Sequence, residues 1–548
     1  MSTEFLIATD GRLFESRLSL ESLWQEIAEH FYPQRADFTV KRNMGQELMA
    51  DLATGYPVRV HRELANAIGG MLRPTNKEWA HARVDQWDQV GTEARAWLEM
   101  ADTRQRRAMY QRAAAFTRAT KEADNDFAAF GQAVLQVSLN SKADNLLYRC
   151  WHLRDCAWAE QADGEIGTIF RKWTATAADL MTLFPKTVHE QVREKFQKTP
   201  YQEFQVRHCI VPGDQYKLQN GGKPVRQYVS VYLDMANKHI MEEVEMDEHD
   251  YVIPRWQTVS GSQYAYSPAV VVGLPDARTL QEMTFTLLEA GEKAVTPPLL
   301  GVQGALRSDV NVMAGGLTWV DREYDERLGE VLRPLTVDKS GIPLGRDMQV
   351  DIKEDLAEAF YLNKLGLPPR GGPDMTAYET GQRVQEWIRN ALPLFEPVEM
   401  EYNAPLCEKT FTKLMRVGLF GSPFDMPEEL QGREVEFTFE SPLHDAIESV
   451  KGQKFLEASA LTADAAAIDP SVVHIVDTKK AVRDVMHSTG IPADWMRSEA
   501  EVEERAAADA EQQQAAQMME QMQQGADIAK TIGTTDAPAG TQDTGAAI

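Results

Sequence analysis

The chain has 548 residues, with 83 acidic against 57 basic side chains and a formal net charge of −26. Its 43% apolar and 26% charged content is ordinary globular usage, which excludes global disorder and leaves chain enough for about three or four domains. The acidic balance excludes a protein that grips nucleic acid over most of its surface, because that task needs clustered Lys and Arg. It leaves open a protein past which nucleic acid slides, since like-charge repulsion prevents sticking.

No apolar run approaches the ~18–20 residues of a membrane span; the longest, around Ala269-Val270-Val271-Val272, stops within a few residues. The start, Met1-Ser2-Thr3-Glu4-Phe5, has no basic stretch before an apolar core, so no secretory signal is expected. Cys150, Cys156, Cys209 and Cys407 form no CxxC pair and no dense framework. Free thiols in a reducing cytoplasm are expected, rather than a disulfide scaffold or a zinc site.

In chain order, Leu20, Leu23, Trp24, Ile27, Ala28 and Phe31 recur at helical spacing up to Pro33. Val60, Leu64, Ile68 and Leu72 form a second helical stripe, closed by Pro74, and a short strand follows at 79–84. A long helix is expected over 92–121, and a further apolar helix over 126–137, containing Gly131. From Leu146 the pattern changes to strands at 147–155 and 166–173, joined by the Ala162-Asp163-Gly164-Glu165 turn. Helices are expected at 176–184 and 188–196, then strands at 204–211, 227–233 and 238–244. Pro275 and Asp276 open a helix that Pro297-Pro298 stop. Further helices are expected at 356–365, 376–390 and 405–417, a strand at 434–439, and helix again over 446–496. The stretch after Arg497 is rich in Ala, Glu and Gln, then Gly and Thr. It reads as a short coiled seam or a frayed end, with 525–548 the frayed part.

Most chemical motifs fail on inspection. Gly221-Gly222-Lys223-Pro224 has Pro where a phosphate loop needs Ser or Thr, and reads as a hairpin loop. His189-Glu190 starts a zincin signature, but Arg193 stands where the second imidazole belongs. The turn Met246-Asp247-Glu248-His249-Asp250 has carboxylates enough for a cation, yet acidic turns are ordinarily just solvated. The eleven His are scattered, and the Trp residues are spread as core and interface packing rather than a stacking platform. No GxSxG elbow or GxGxxG is present. No catalytic, metal or cofactor site is expected.

Longer patterns are more specific. They are Trp24-Gln25-Glu26-Ile27-Ala28 with Phe31-Tyr32-Pro33-Gln34-Arg35; the run from Asp126 to Leu135 (DFAAFGQAVL); and the run from Glu165 to Thr174 (EIGTIFRKWT). Then come Ile253-Pro254-Arg255-Trp256, Tyr266-Ser267-Pro268, Leu274-Pro275-Asp276-Ala277, and Asp374-Met375-Thr376-Ala377-Tyr378-Glu379-Thr380 with Arg383. Together, in this order over about 20–497, they resemble the portal, or head-to-tail connector, proteins of short-tailed double-stranded DNA phages. The last is close to that family's Met-Thr-Ala-Thr-Glu segment, with Tyr378 in place of the usual Thr.

The resemblance implies an α+β, mainly α fold with a wing, a helical stem, a β-rich clip inserted between stem helices, and a helical crown. The expected division is wing 1–173, stem 174–200, clip 201–263, stem 264–296, wing 297–440, crown 441–497 and a low-complexity tail 498–548. It implies a ring, expected to be dodecameric, at one capsid vertex, with double-stranded DNA passing through it. Twelve such chains carry roughly 300 net negative charges, which oppose nonspecific adsorption of DNA. The implied partners are a terminase motor, the major capsid protein, a scaffold and a tail adaptor; no cofactor, metal or membrane is implied. The ATPase belongs to a separate motor protein, because this chain lacks a phosphate loop. A tunnel loop at about 361–374 is implied to line the narrowest part of the channel, with Asn363, Lys364 and Arg370 meeting phosphates. The plain alternative is a surface connector between packed helices. Two other classes stand beside this reading. One is another virion assembly protein without a channel, such as a scaffold or an internal virion protein; a scaffold would be mostly heptad-like helix with few aromatics. A nucleic-acid-processing enzyme would need clustered carboxylates for two metals.

Overall fold

The computed structural model describes residues 2–301, 341–365 and 398–439 apart from gaps at 44, 50, 76, 86–89, 141 and 423–424. It also describes parts of 306–335 and scattered positions at 386, 396 and beyond 457. The chain divides into two units, Met1–Ile447 and Glu448–Ile548; in the second, 458–462 is helical. The architecture is mixed α and β, as expected, with helix dominating.

Helix α1 (Ser2–Glu15) leads into α2 (Leu18–Phe31) and α3 (Tyr56–Leu72). Trp24, Ile27, Ala28 and Phe31 of α2 and Val60, Leu64, Ile68 and Leu72 of α3 bury together in the main core, on the faces their helical spacing sets. Strand β1 (Ala80–Val84) pairs antiparallel with the distant β12 (Val435–Phe439), from Ala80↔Phe439 to Val84↔Val435.

The expected long helix over 92–121 is two helices. α4 (Thr92–Met109) and α5 (Phe116–Phe130) are separated by a 3-10 turn and by Ala115 at φ 55. No Gly or Pro marks this break; it brings the rings of Tyr110 and Phe116 to 5.1 Å, edge on. The expected helix over 126–137 is also corrected. α5 stops at Phe130, Gly131 caps it in the left-handed conformation, and β2 (Val134–Leu139) follows. A short apolar run fits a buried strand as well as a helix, so periodicity alone cannot separate them.

β2 is the centre of a three-stranded sheet, ordered β3 (Leu146–Trp151), β2, β9 (Tyr251–Val252). The expected strand over 147–155 ends at Trp151, where a 3-10 turn at Leu153–Asp155 makes a corner into β4 (Cys156–Glu160). A five-stranded antiparallel sheet then runs in the order β4, β5 (Ile166–Thr176), β6 (Glu203–Pro212), β7 (Tyr228–Asp234), β8 (His239–Met246). β5 and β6 pair from Ile169↔Ile210 to Thr176↔Glu203, so the sheet is continuous across 156–246. Alternate side chains serve opposite faces. Phe170 and Cys209 pack with Leu6, Leu13 and Phe14 of α1, while Ile169 and Ile210 join the main core.

Between β5 and β6 lie two short helices, α6 (Ala177–Leu183) and α7 (Glu190–Lys198). A Thr176–Asp179 capping box starts α6. Leu180, Phe184, Val188 and Val192 pack on Val206 and Met241 of the sheet. After β9 a π-helical turn, Ala269–Gly273, opens α8 (Leu274–Val295), which pairs with α9 (Gly341–Ala359). Beyond α8, β10 (Leu299–Gly301) and β11 (Leu332–Pro334) form an antiparallel ribbon. The helix expected at 356–365 starts much earlier and is broken: α9 ends at Ala359, Tyr361 has φ 58, and α10 (Leu362–Leu365) follows. α11 (Ala404–Val417) closes with Gly418 in the left-handed conformation. The helix expected at 376–390 except Glu386, the Asp374–Thr380 motif and almost all of 446–496 lie outside the described residues.

Candidate assembly and channel surfaces

Of the three candidate channel residues, Asn363 is exposed and Lys364 half-buried, both on α10; Arg370 lies outside the described residues. The Lys364 ammonium sits 5.6 Å from the Tyr361 ring centroid, and the Lys364 N–H donates to the Tyr361 carbonyl at 2.9 Å. Left-handed backbone costs a tyrosine about 1–2 kcal/mol. The compensation is visible in packing: Tyr361 stacks on Trp256 (6.3 Å, 10°), and Trp256 stacks on Phe127 (4.9 Å, 28°). Its neighbour Phe360 is fully buried against Phe31. The segment carrying Asn363 and Lys364 therefore starts from an aromatic anchor, with Leu362 packed on the main core.

Phe127 and Trp256 belong to two of the sequence patterns, and the fold joins those patterns at Gly131. A Cβ at Gly131 would stand 2.4 Å from the Tyr266 carbonyl carbon and 2.6 Å from the Ser267 nitrogen. The Trp256 N–H donates to the Gly131 carbonyl (2.8 Å), the Ser267 hydroxyl to the Ala129 carbonyl (2.6 Å), and the Ala265 N–H to Gln132 Oε1 (2.9 Å). Arg35 of the first pattern makes a two-pronged ion pair with Asp126 at 2.9 and 2.7 Å. Gln25 receives the Phe38 N–H at 2.8 Å and donates to the Ala36 carbonyl. Arg171 of the third pattern is buried, donates to the Tyr251 hydroxyl at 2.9 Å and lies 3.9 Å over Trp151. The described members of these patterns thus hold elements in register; none of those named here frames a reactive centre.

Several buried charges drew no attention in the sequence, where nothing distinguishes them from surface residues. Arg17, fully buried between α1 and α2, donates to the carbonyls of Leu153, Arg154 and Cys156 and so fixes the corner before β4. Arg73 pairs with Asp124 and donates to Asn403 Oδ1 at 2.8 Å, under the Tyr402 ring at 4.4 Å. Burial pushes the Asp124 carboxyl up and Arg73 opposes it. This pair lines a cleft of about 360 Å³ with Gly69, Tyr110, Thr117 and Lys121, so its charged groups are already committed to each other. The Glu399 carboxyl is pushed up to about 7, by burial first and by Glu396 second.

The acidic turn is read by a helix face. Glu248 pairs with Lys409 at 3.0 Å, Asp250 with Lys413, and Asp247 with Arg226 at 3.1 Å and Arg416 at 3.7 Å. Among the described residues no group of three or more His, Cys, Asp and Glu is placed to hold a metal ion. No described helix is long and apolar enough to cross a membrane. The α8–α9 hairpin instead carries large apolar side chains in the open: Phe285, Leu288 and Val295 on α8, and Leu344, Met348 and Val350 on α9.

The profile of the family described as bacteriophage head to tail connecting protein matches residues 6–497, so the chain belongs to that family. It is similar to a probable portal protein of Bordetella phage BPP-1, with 25% identity over 542 residues covering 97% of this chain and 96% of that one. It is also similar to a portal protein of Salmonella phage epsilon15, with 22% identity over 388 residues, 69% of this chain and 68% of that one. Among solved structures, a virion of a native gene transfer agent particle overlaps with TM-score 0.31 at 10% identity, covering 79% of this chain and 95% of that one. The neck of an empty particle of that kind overlaps with TM-score 0.32 at 10% identity, covering 74% and 86%. Overlaps this slight carry no argument.

Proposed function

We infer that this chain is a portal protein. It forms a ring at one vertex of a phage head, where it is the conduit for genome packaging and ejection and the docking site for motor and tail. The observation that carries this reading is the head-to-tail connector match over 6–497, with a portal relative aligned across nearly all of both chains. A channel-less scaffold is not favoured: the chain has 46 aromatic residues, and its described core is mixed α and β rather than heptad helix.

The finer reading takes twelve copies per ring, duplex DNA in the bore, and a terminase motor, capsid protein, scaffold and tail adaptor as partners, with assembly in the host cytoplasm. It gives the chain no catalysis of its own. The resemblance places a clip between two stem helices. Long helices paired side by side are found at α8 and α9. In place of the division expected from the sequence, with stem at 174–200 and 264–296 and clip at 201–263, that favours the α8–α9 hairpin as the stem and 296–340 as the clip, with the continuous sheet over 156–246 assigned to the wing. The segment 361–374 is the tunnel loop, with Asn363, Lys364 and Arg370 toward DNA. The aromatic anchor at Phe360 and Tyr361 supports this, because a loop that guides a sliding duplex needs a rigid base.

Negative-stain imaging and native mass spectrometry of the purified protein test the ring; monomer or dimer alone, across a range of concentration and salt, refutes it. Lys364→Ala with Arg370→Ala tests the loop. Rings are expected to persist while DNA packaging or retention changes. Normal packaging and retention by the double variant refutes the loop assignment.

A further inference from the structure

The α8–α9 hairpin has two unlike faces. Gln349 Nε2 donates to Thr284 Oγ1 at 2.8 Å, and Leu287 packs so close to Gly345 that a Cβ there would stand 2.8 Å from its Cδ2. The helices therefore run antiparallel, with 284 level with 349 and 287 level with 345. Each residue turns the helix by about 100°. In an antiparallel pair, the residue one step after a contact position projects to the same broad face from either helix, and the residue one step before projects to the opposite face. Phe285, Leu288, Arg346 and Val350 fall on the first face, Leu344 and Met348 on the second.

All five apolar members are exposed: Phe285 52%, Leu288 60%, Val350 47%, Leu344 63% and Met348 49%. The bottom of the first face is occupied by the chain just before and at the start of α3. Gln281 exchanges hydrogen bonds with the Thr54 backbone, and the Tyr56 hydroxyl donates to the Lys353 carbonyl at 2.9 Å. Above that contact Phe285, Leu288 and Val350 are left uncovered. The two faces also differ in charge. The same rotation puts Arg346 and Lys353 on the first face against Glu292. It puts Asp351 and Asp355 on the second against Lys293, while Glu282 and Glu289, the latter paired with Lys293 at 2.6 Å, lie on the side of α8 away from α9, between the two faces.

We propose that the first face of this hairpin, centred on Phe285 and Leu288, packs against the second face, centred on Leu344 and Met348, of a neighbouring copy of the chain. The occupant is a second copy because each face supplies what the other lacks: apolar surface to both, basic side chains to one and acidic to the other. A two-fold dimer uses one patch twice, so it would leave the other apolar face bare and, on the second face, set carboxylates against carboxylates. Head-to-tail packing covers both faces on every copy and propagates until it closes. The proposal rests on the portal-ring reading and adds the register: with neighbouring hairpins side by side, Phe285 meets Met348 of the next copy and Leu288 meets its Leu344.

The test is a chain carrying Phe285→Cys and Met348→Cys, oxidised mildly and run on a non-reducing gel, with each single variant and the native chain as controls. Of the native cysteines, Cys156, Cys209 and Cys407 are buried and Cys150 half-buried. The double variant is expected to give a ladder of covalent species beyond the dimer, and the controls none. Leu288→Cys with Leu344→Cys repeats the test one turn along. Native mass spectrometry of the native chain separates the two readings. If rings form and neither double variant gives species above the monomer, the face assignment falls and the ring stands. A dimer from Phe285→Cys alone also overturns it, since that residue would then meet itself. If the native chain forms no ring, both fall.

Discussion

Replacing Gly131 with Ala tests whether the sequence patterns are held together by steric closure. Two costs arise. Ala in left-handed backbone (φ +74 here) costs about 1–2 kcal/mol. The new methyl would stand 2.4 Å from the Tyr266 carbonyl carbon, where carbons normally approach to about 3.5–4.0 Å, so the segment must retreat by about 1 Å. That retreat strains the hydrogen bonds Trp256 N–H to Gly131, Ser267 Oγ–H to Ala129 and Ala265 N–H to Gln132, each worth about 1 kcal/mol net. The sum is about 3–5 kcal/mol, at the top of what single substitutions cost. Gly221 is the matched control: φ is +82 and nothing lies within 4 Å of its Cβ position, so Gly221→Ala should lose only the backbone cost of about 1–2 kcal/mol. Urea unfolding followed by tryptophan fluorescence measures both. Equal losses for the two variants, within about 0.5 kcal/mol, would refute the closure argument.

Asp124→Ala should destabilise by about 3–5 kcal/mol by leaving the Arg73 guanidinium buried without its partner, whereas Arg73→Met with Asp124→Leu should recover much of that loss in the same unfolding assay. Glu399, raised by burial from 4.5 to about 7, binds its proton more tightly folded than unfolded. Its contribution to stability is therefore greatest below about pH 4.5 and falls as pH rises towards 7. Glu399→Gln should flatten the dependence of the melting temperature on pH across that window; an unchanged profile would refute the assignment.

What was legible in the sequence follows periodicity and punctuation. The stripes of α2 and α3, the alternation of β6 to β8 and the Pro-marked ends of α8 needed no distant partner, because 3.6- and 2-residue repeats set which face is buried before anything packs on it. The collinear patterns carried the family, though their residues work structurally: Arg35 on Asp126, Gly131 under Tyr266, Trp256 on Phe127. Other features were settled only by tertiary contacts. α1 exists as a covering helix because a sheet formed far along the chain offers Phe170, Cys209 and Val231 to Leu6, Leu13 and Phe14. The breaks at Ala115 and Tyr361 lack Gly or Pro, since ring packing at Phe116 and Trp256 offsets a left-handed backbone that local propensity disfavours. The partner of α8 is α9, across a segment of more than forty residues. A helix's own sequence says which face is apolar and nothing about which other helix will cover it, because burial free energy depends on area removed from water and not on where in the chain the covering atoms come from.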